Sequence, residues 1–107
     1  MKGKRMGKLV RDNIPLVIAR DTGAAPKTRR LEGPELVAAL LDKIIEEVGE
    51  LRAARGRKNI QEEMGDVSEV VDALRDALYI NARELEMIKE RKRAAKGGFS
   101  CGIFLCD

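Results

Sequence analysis

Between Gly33 and Leu78 the apolar residues recur every three or four positions, and this spacing constrains the fold more than any other feature. Leu36, Val37, Leu40, Leu41, Ile44, Ile45, Val48 and Leu51 form one stripe. Ile60, Met64, Val67, Val71, Leu74 and Leu78 form another. An α-helix turns once per 3.6 residues, so each set lies along one side of a helix and must find something apolar to cover it. A strand cannot use this spacing, because its sides alternate every second residue. The break between the stripes is short and centres on Gly56-Arg57-Lys58, which makes the two helices antiparallel neighbours. Gly33-Pro34 opens the first of the pair, with proline at the position where a missing N–H costs nothing. Asn59, with Glu62 three residues on, reads as the cap of the second.

The flanks are predicted with less apolar material. Residues 2–8 form a basic lead-in. Asp12 or Asn13 caps a short helix with Pro15 in its first turn, ending near Thr22-Gly23. Residues 23–33 have no period and read as a loop. Asn81, with Glu84 three residues later, caps a last helix running to about Ala95, whose apolar face holds only Leu85, Ile88 and Ala95. Lys92 lies on that thin face and either reaches out to solvent or points at something acidic. Gly97-Gly98 ends it. Phe99, Cys101, Ile103 and Leu105 then alternate, the period of a β-strand. A lone strand is unstable, so it would pair with Leu9-Val10 or with another subunit. The expected architecture is therefore one all-α domain over 1–107, a helical bundle around a central antiparallel pair, with a short C-terminal strand. Its thin last helix and unpaired strand point to a homo-oligomer.

Composition narrows the chemistry. The chain has no histidine, which excludes a Ser-His-Asp triad, a Cys-His dyad and the usual zinc sites. Catalysis would have to come from carboxylates, lysines, hydroxyls, cysteines or a hard metal on oxygen ligands. Cys101 and Cys106 are too few for a disulfide framework and are expected to pack in the terminal strand. No apolar leader follows the basic start, and no run is long enough to span a bilayer. A soluble protein of the reducing cytoplasm is expected. The net charge of +3 conceals a division: residues 1–30 sum to +7, residues 31–88 to −7 and residues 89–107 to +3. An acidic centre between basic ends suits a cation site flanked by phosphate-binding groups. The same division suits a chain whose ends only neutralise its middle.

Spacing favours the first reading. Glu47 and Glu50 sit one turn apart on the first long helix, and Glu63 and Asp66 one turn apart on the second. Glu47 follows Ile44 by three and precedes Leu51 by four. Glu63 stands likewise between Ile60 and Val67. Both acids thus lie at the edge of the packing stripe, not on the solvent side. Carboxylates converging at a partly buried spot repel and lose hydration unless a cation joins them. Oxygen donors alone select Mg²⁺, Mn²⁺ or Ca²⁺. Gly49 and Gly65, each inside a helix and each just before the second acid of its pair, suggest close packing or ligand approach. Ordinary solvated charges are the alternative for any single acid, and less so for two pairs in register.

These residues resemble a known family. EEVGE, twelve residues, then EMGD is similar to the EExxE…ExxD signature of the all-α nucleoside triphosphate pyrophosphohydrolases, the MazG-like and phosphoribosyl-ATP pyrophosphohydrolase-like group. KLVRDNIP near the start and KGGF…IFL near the end resemble a subgroup, so the similarity covers roughly residues 8–105. It implies a helical bundle, often a dimer or tetramer, that uses Mg²⁺, or Mn²⁺ in its place, to release pyrophosphate from a nucleoside triphosphate or a relative such as phosphoribosyl-ATP. Glu47, Glu50, Glu63 and Asp66 match the family's metal ligands. Glu46 matches a position that assists the metal or the attacking water. Lys8, Arg11, Lys92 and Lys96 are the candidates for neutralising substrate phosphates. Because this chain is shorter than several relatives, the resemblance carries no base, sugar or phosphate count. Two other classes remain: a non-catalytic scaffold with the same fold, and a nucleic-acid module using the basic ends. Scarce aromatics and an acidic centre disfavour the latter.

Overall fold

The two stripes become two 21-residue helices in the computed structural model, which describes residues 7–106. The order is α1 (Ile14–Thr22), α2 (Gly33–Ala53), α3 (Arg57–Ala77) and α4 (Ala82–Lys96). The basic lead-in before Gly7 lies outside the described residues.

The ends of the helices follow local chemistry. Pro15 sits in the first turn of α1, and Gly23 closes it in the left-handed conformation, its N–H donating to Ala19. Asn13 stands at the N-cap position of α1 without a side-chain bond to it. At α4 the cap is made: the Asn81 side-chain oxygen accepts from the N–H groups of Arg83 and Glu84 at 2.8 and 3.3 Å. The expected cap at Asn59 is not. Helix α3 starts three residues earlier, after Gly56, because glycine accepts a φ of 86° there. Asn59 is consequently inside the helix, and its amide donates back to the Arg55 carbonyl at 2.9 Å.

Helices α2 and α3 pack on each other and form the one extensive helix–helix contact among the described residues. Among the described residues, Leu40 is the single buried apolar residue and Glu47 the single buried acid. Around them Ile44, Leu51, Glu63, Val67, Val70 and Leu74 are half-buried and mark the seam between the helices. Helices α1 and α4 add little to that seam. Arg29 pairs with Glu35 at 2.6 Å and ties the loop before α2 to its first turn.

The C-terminal strand is not formed. Among the described residues there is no strand at all. Gly102 takes a φ of 61° and donates to the Phe99 carbonyl at 3.1 Å, so a turn interrupts the alternating pattern. Without a neighbouring strand the alternation has nothing to pair with. Phe99, Ile103, Phe104 and Leu105 stand exposed, as do the free thiols of Cys101 and Cys106, which were expected to pack. No helix is long and apolar enough to cross a membrane among the described residues.

Gly49 and Gly65 also depart from expectation. A Cβ built at either meets nothing within 4 Å, so neither glycine serves close packing within the chain. This yields two opposite predictions for urea denaturation. Leu40→Ala, at the centre of the seam, lowers stability by about 2–4 kcal/mol. Gly65→Ala raises it by up to about 1 kcal/mol, since helix propensity improves with nothing to clash. A loss on Gly65→Ala would mean the glycine faces a contact outside the single chain.

Candidate metal centre

The acids of the two long helices meet where the seam turns towards its polar side. Seam residues on α2 recur at 40, 44, 47 and 51, so Glu47 points inward with the apolar residues. On α3 Glu63 belongs to the seam with Val67, Val70 and Leu74. Glu50 and Asp66 follow one turn later on their helices, rotated towards the same rim. One carboxylate oxygen each from Glu47, Glu50 and Glu63 lies within 4.8 Å of the other two. Two helices 21 residues long, joined by a three-residue turn, hold this convergence.

Burial makes the arrangement costly. Glu47 is 8% exposed. Its Oε1 is buried without a hydrogen-bond partner, and so is the Oε1 of Glu63. A buried carboxylate oxygen with no donor gives up hydration for nothing. The titration of Glu63 reflects this. Desolvation, then the charges of Glu50, Asp66 and Glu47, and a hydrogen bond shared with Asp66, hold its carboxyl above the usual range.

The cations that answer the acids are only partly those expected. Arg11 donates to Asp66 at 2.7 Å, across 55 residues of sequence. Asp66 stays close enough to act on Glu63 but is not one of the three acids whose oxygens converge, although the sequence placed it among four ligands. Lys43 was not singled out by the sequence reading. It reaches Glu46 at 3.3 Å and Glu47 at 3.5 Å, with its side chain only 17% exposed. Its spacing was the available signal: Lys43 precedes Glu46 by three and Glu47 by four on one helical side. Lys8 lines a depression of about 160 Å³ with Gly7, Leu9, Ala39, Asp42, Lys43 and Glu46. Residues 7–11 therefore run beside the acid cluster, as the +7 start and −7 centre suggested. Lys92 and Lys96 are not brought there. Both are exposed on α4 and hold no ion pair with these acids. The sequence could not decide this, because α4 carries too little apolar surface to dock on the hairpin.

The donor set fits a hard divalent cation. It consists of carboxylate oxygens alone, two of them unpartnered, on two helices packed against each other. Asp66 would complete the set on exchanging Arg11.

No family model matches this chain, and no solved structure does. An uncharacterised protein of Mycolicibacterium smegmatis is 52% identical over 52 residues, 49% of this chain and 52% of that protein. The match thus spans about half the length of either.

The raised Glu63 carboxyl makes a pH prediction for metal-free protein. A group whose folded pKa exceeds its unfolded value binds a proton more tightly when folded. Its favourable contribution is present below the ordinary value of 4.5 and is lost as pH rises through the raised folded value. Replacing Glu63 by Gln keeps the shape without the charge. In chelator, the difference in melting temperature between Glu63→Gln and wild type should therefore grow in favour of the variant as pH rises from about 4.5 towards neutrality. A difference independent of pH would place Glu63 in water, away from the other acids.

Proposed function

We propose that this chain is a Mg²⁺-dependent nucleotide pyrophosphohydrolase, splitting a nucleoside triphosphate or a related nucleotide into its monophosphate and pyrophosphate. The observation that carries the reading is the pair of buried, unpartnered carboxylate oxygens on Glu47 and Glu63, within reach of Glu50. The EExxE…ExxD resemblance adds the reaction class, which the acids alone do not specify.

Glu47, Glu50 and Glu63, joined by Asp66, would hold the cation. When bound, it supplies positive charge against phosphoryl oxygens and a water of lowered pKa. The chain's own residues do the remainder. Glu46, at the rim and paired with Lys43, can accept a proton from a water aligned for in-line attack on phosphorus. Water adds at that phosphorus and the bond to the bridging oxygen breaks, releasing pyrophosphate. Arg11 can exchange Asp66 for a phosphate oxygen, which couples substrate arrival to freeing the fourth acid. Lys8 and Lys43, lining the adjoining depression, offset the leaving charge. A nucleotide substrate and two exposed free thiols suit the reducing cytoplasm.

One observation favours a second reading, a non-catalytic scaffold. Arg11 already answers Asp66 and Lys43 already answers Glu47, as structural ion pairs would. Product analysis over canonical, modified and phosphoribosylated nucleotides with Mg²⁺ separates the two. Pyrophosphate and monophosphate are expected. Orthophosphate as first product would refute the cleavage position, and inactivity across the panel would favour the scaffold. Within the active reading, Arg11→Met should raise KM about tenfold or more, the worth of one charge-assisted hydrogen bond. Lys92→Met and Lys96→Met should leave it within about twofold, since neither lines the depression beside the acids.

A further inference from the structure

The chain ends in an exposed apolar segment, and a run of cations leads into it. Residues 99–106 carry no charged side chain. Within them Phe99, Ile103, Phe104 and Leu105 are between 83% and 98% exposed. The Gly102 N–H donates to the Phe99 carbonyl, so a turn gathers these residues instead of a strand. A single exposed leucine is ordinary, but four large apolar side chains in one uncharged stretch mark a surface that something other than water covers.

Helix α4 makes no extensive contact with α2 or α3, and its residues from Glu86 to Lys96 are all exposed. On a helix of 3.6 residues per turn, Lys89, Lys92, Arg93 and Lys96 fall within an arc of about 100°. Glu84 and Glu90 lie outside that arc, and Glu86 borders it. Among the described residues Lys89 is the only one of the four in an ion pair, with Glu86 at 3.5 Å. Arg93 and Lys96 stand in the last turn, where cations complement the carbonyl end of any helix. That accounts for two of the four and leaves Lys89 and Lys92 without such a role.

We propose that the end of α4 and the tail attach the protein reversibly to a lipid surface bearing anionic headgroups. The uncharged segment enters the boundary between headgroups and acyl chains, and the cations of α4 lie against the headgroup anions. Eight residues are too few to cross a bilayer, so the tail lies within its interface. Charge complementarity selects this occupant. A neutral bilayer would cover the tail and leave the cations unused. A nucleic acid would answer the cations and leave Ile103 and Leu105 in water, since neither stacks on a base. Residues 31–88 sum to −7, so the same lipids repel the hairpin and keep it in solution. The attachment depends neither on the metal centre nor on the enzymatic reading.

The test sediments the whole chain, in chelator, with protein-free vesicles of phosphatidylcholine, with and without phosphatidylserine. Binding to the anionic vesicles alone is expected, weakening as salt is raised. Lys92→Gln with Lys96→Gln should weaken it about 25-fold, at about fivefold for each charge near the surface. Ile103→Ser with Phe104→Ser should weaken it about tenfold or more. Lys58→Gln, at the α2–α3 turn, should leave it unchanged. The chain has no tryptophan, so Phe104→Trp reports insertion directly, by a blue shift of its emission on anionic vesicles. Should the serine pair lower the helical circular dichroism, that emission still decides. A wild-type chain that ignores anionic vesicles, or binds neutral ones equally, overturns the proposal. So does binding without the emission shift, which is bare charge attraction of the kind a nucleic acid would also give.

Discussion

The structure turns on carboxylates placed where a helix pair would ordinarily put leucine. Glu47 occupies a seam position on α2 and is the one acid buried in the chain's described part. Glu63 occupies the matching kind of position on α3. Burial of either oxygen without a donor opposes folding, and bringing a third acid within 4.8 Å adds repulsion. A sequence selected only for stability would replace these residues by apolar ones. Their presence makes sense if a cation returns what folding gives up, so that the site is strained when empty and relaxed when filled. Arg11 and Lys43 fit the same account. Arg11 answers Asp66, Lys43 answers Glu46 and Glu47, and neither reaches the orphaned oxygens.

That dependence explains which parts of the molecule could be read from the residues. Helices α2 and α3 carry strong 3.6-residue stripes, so their existence, pairing and antiparallel direction follow from sequence alone. Glu47 and Glu63 were placed correctly because distance from the stripe is a local property of a helix. Asp66 was placed on the right rim, but its capture by Arg11 was not foreseeable, since 55 residues separate them and no period links the two. Lys43 was within reach of the same reasoning and went unused. Its side chain is a cation inside an otherwise acidic turn, at spacings of three and four from two of the named acids.

Elsewhere the local signals were outweighed. The tail alternates like a strand, yet alternation only describes which side a residue would face once a partner strand exists. Gly102 supplies a turn there instead. Asn59 had the residue type of a cap, but Gly56 tolerates the left-handed start that lets α3 begin sooner. Gly49 and Gly65 each stand next to an acid of the cluster in sequence. In a helix, neighbours in sequence point 100° apart, and both glycines face open space. Lys92 shares a side with Leu85 and Ile88, which says nothing about what that side meets when α4 has so little to bury.

Metal binding, independent of any substrate, is the most direct test of the central claim. A cation that binds only the folded site stabilises by about 2.7 kcal/mol at a hundredfold excess over its Kd. For a domain of this size the melting temperature should rise on the order of 10 °C when Mn²⁺ or Mg²⁺ is added to chelated protein. The double substitution Glu50→Gln with Glu63→Gln should nearly abolish that rise, and Glu86→Gln, on exposed α4, should leave it intact. An identical response from wild type and the double variant would contradict the account, because the carboxylates of α2 and α3 would then form no metal centre.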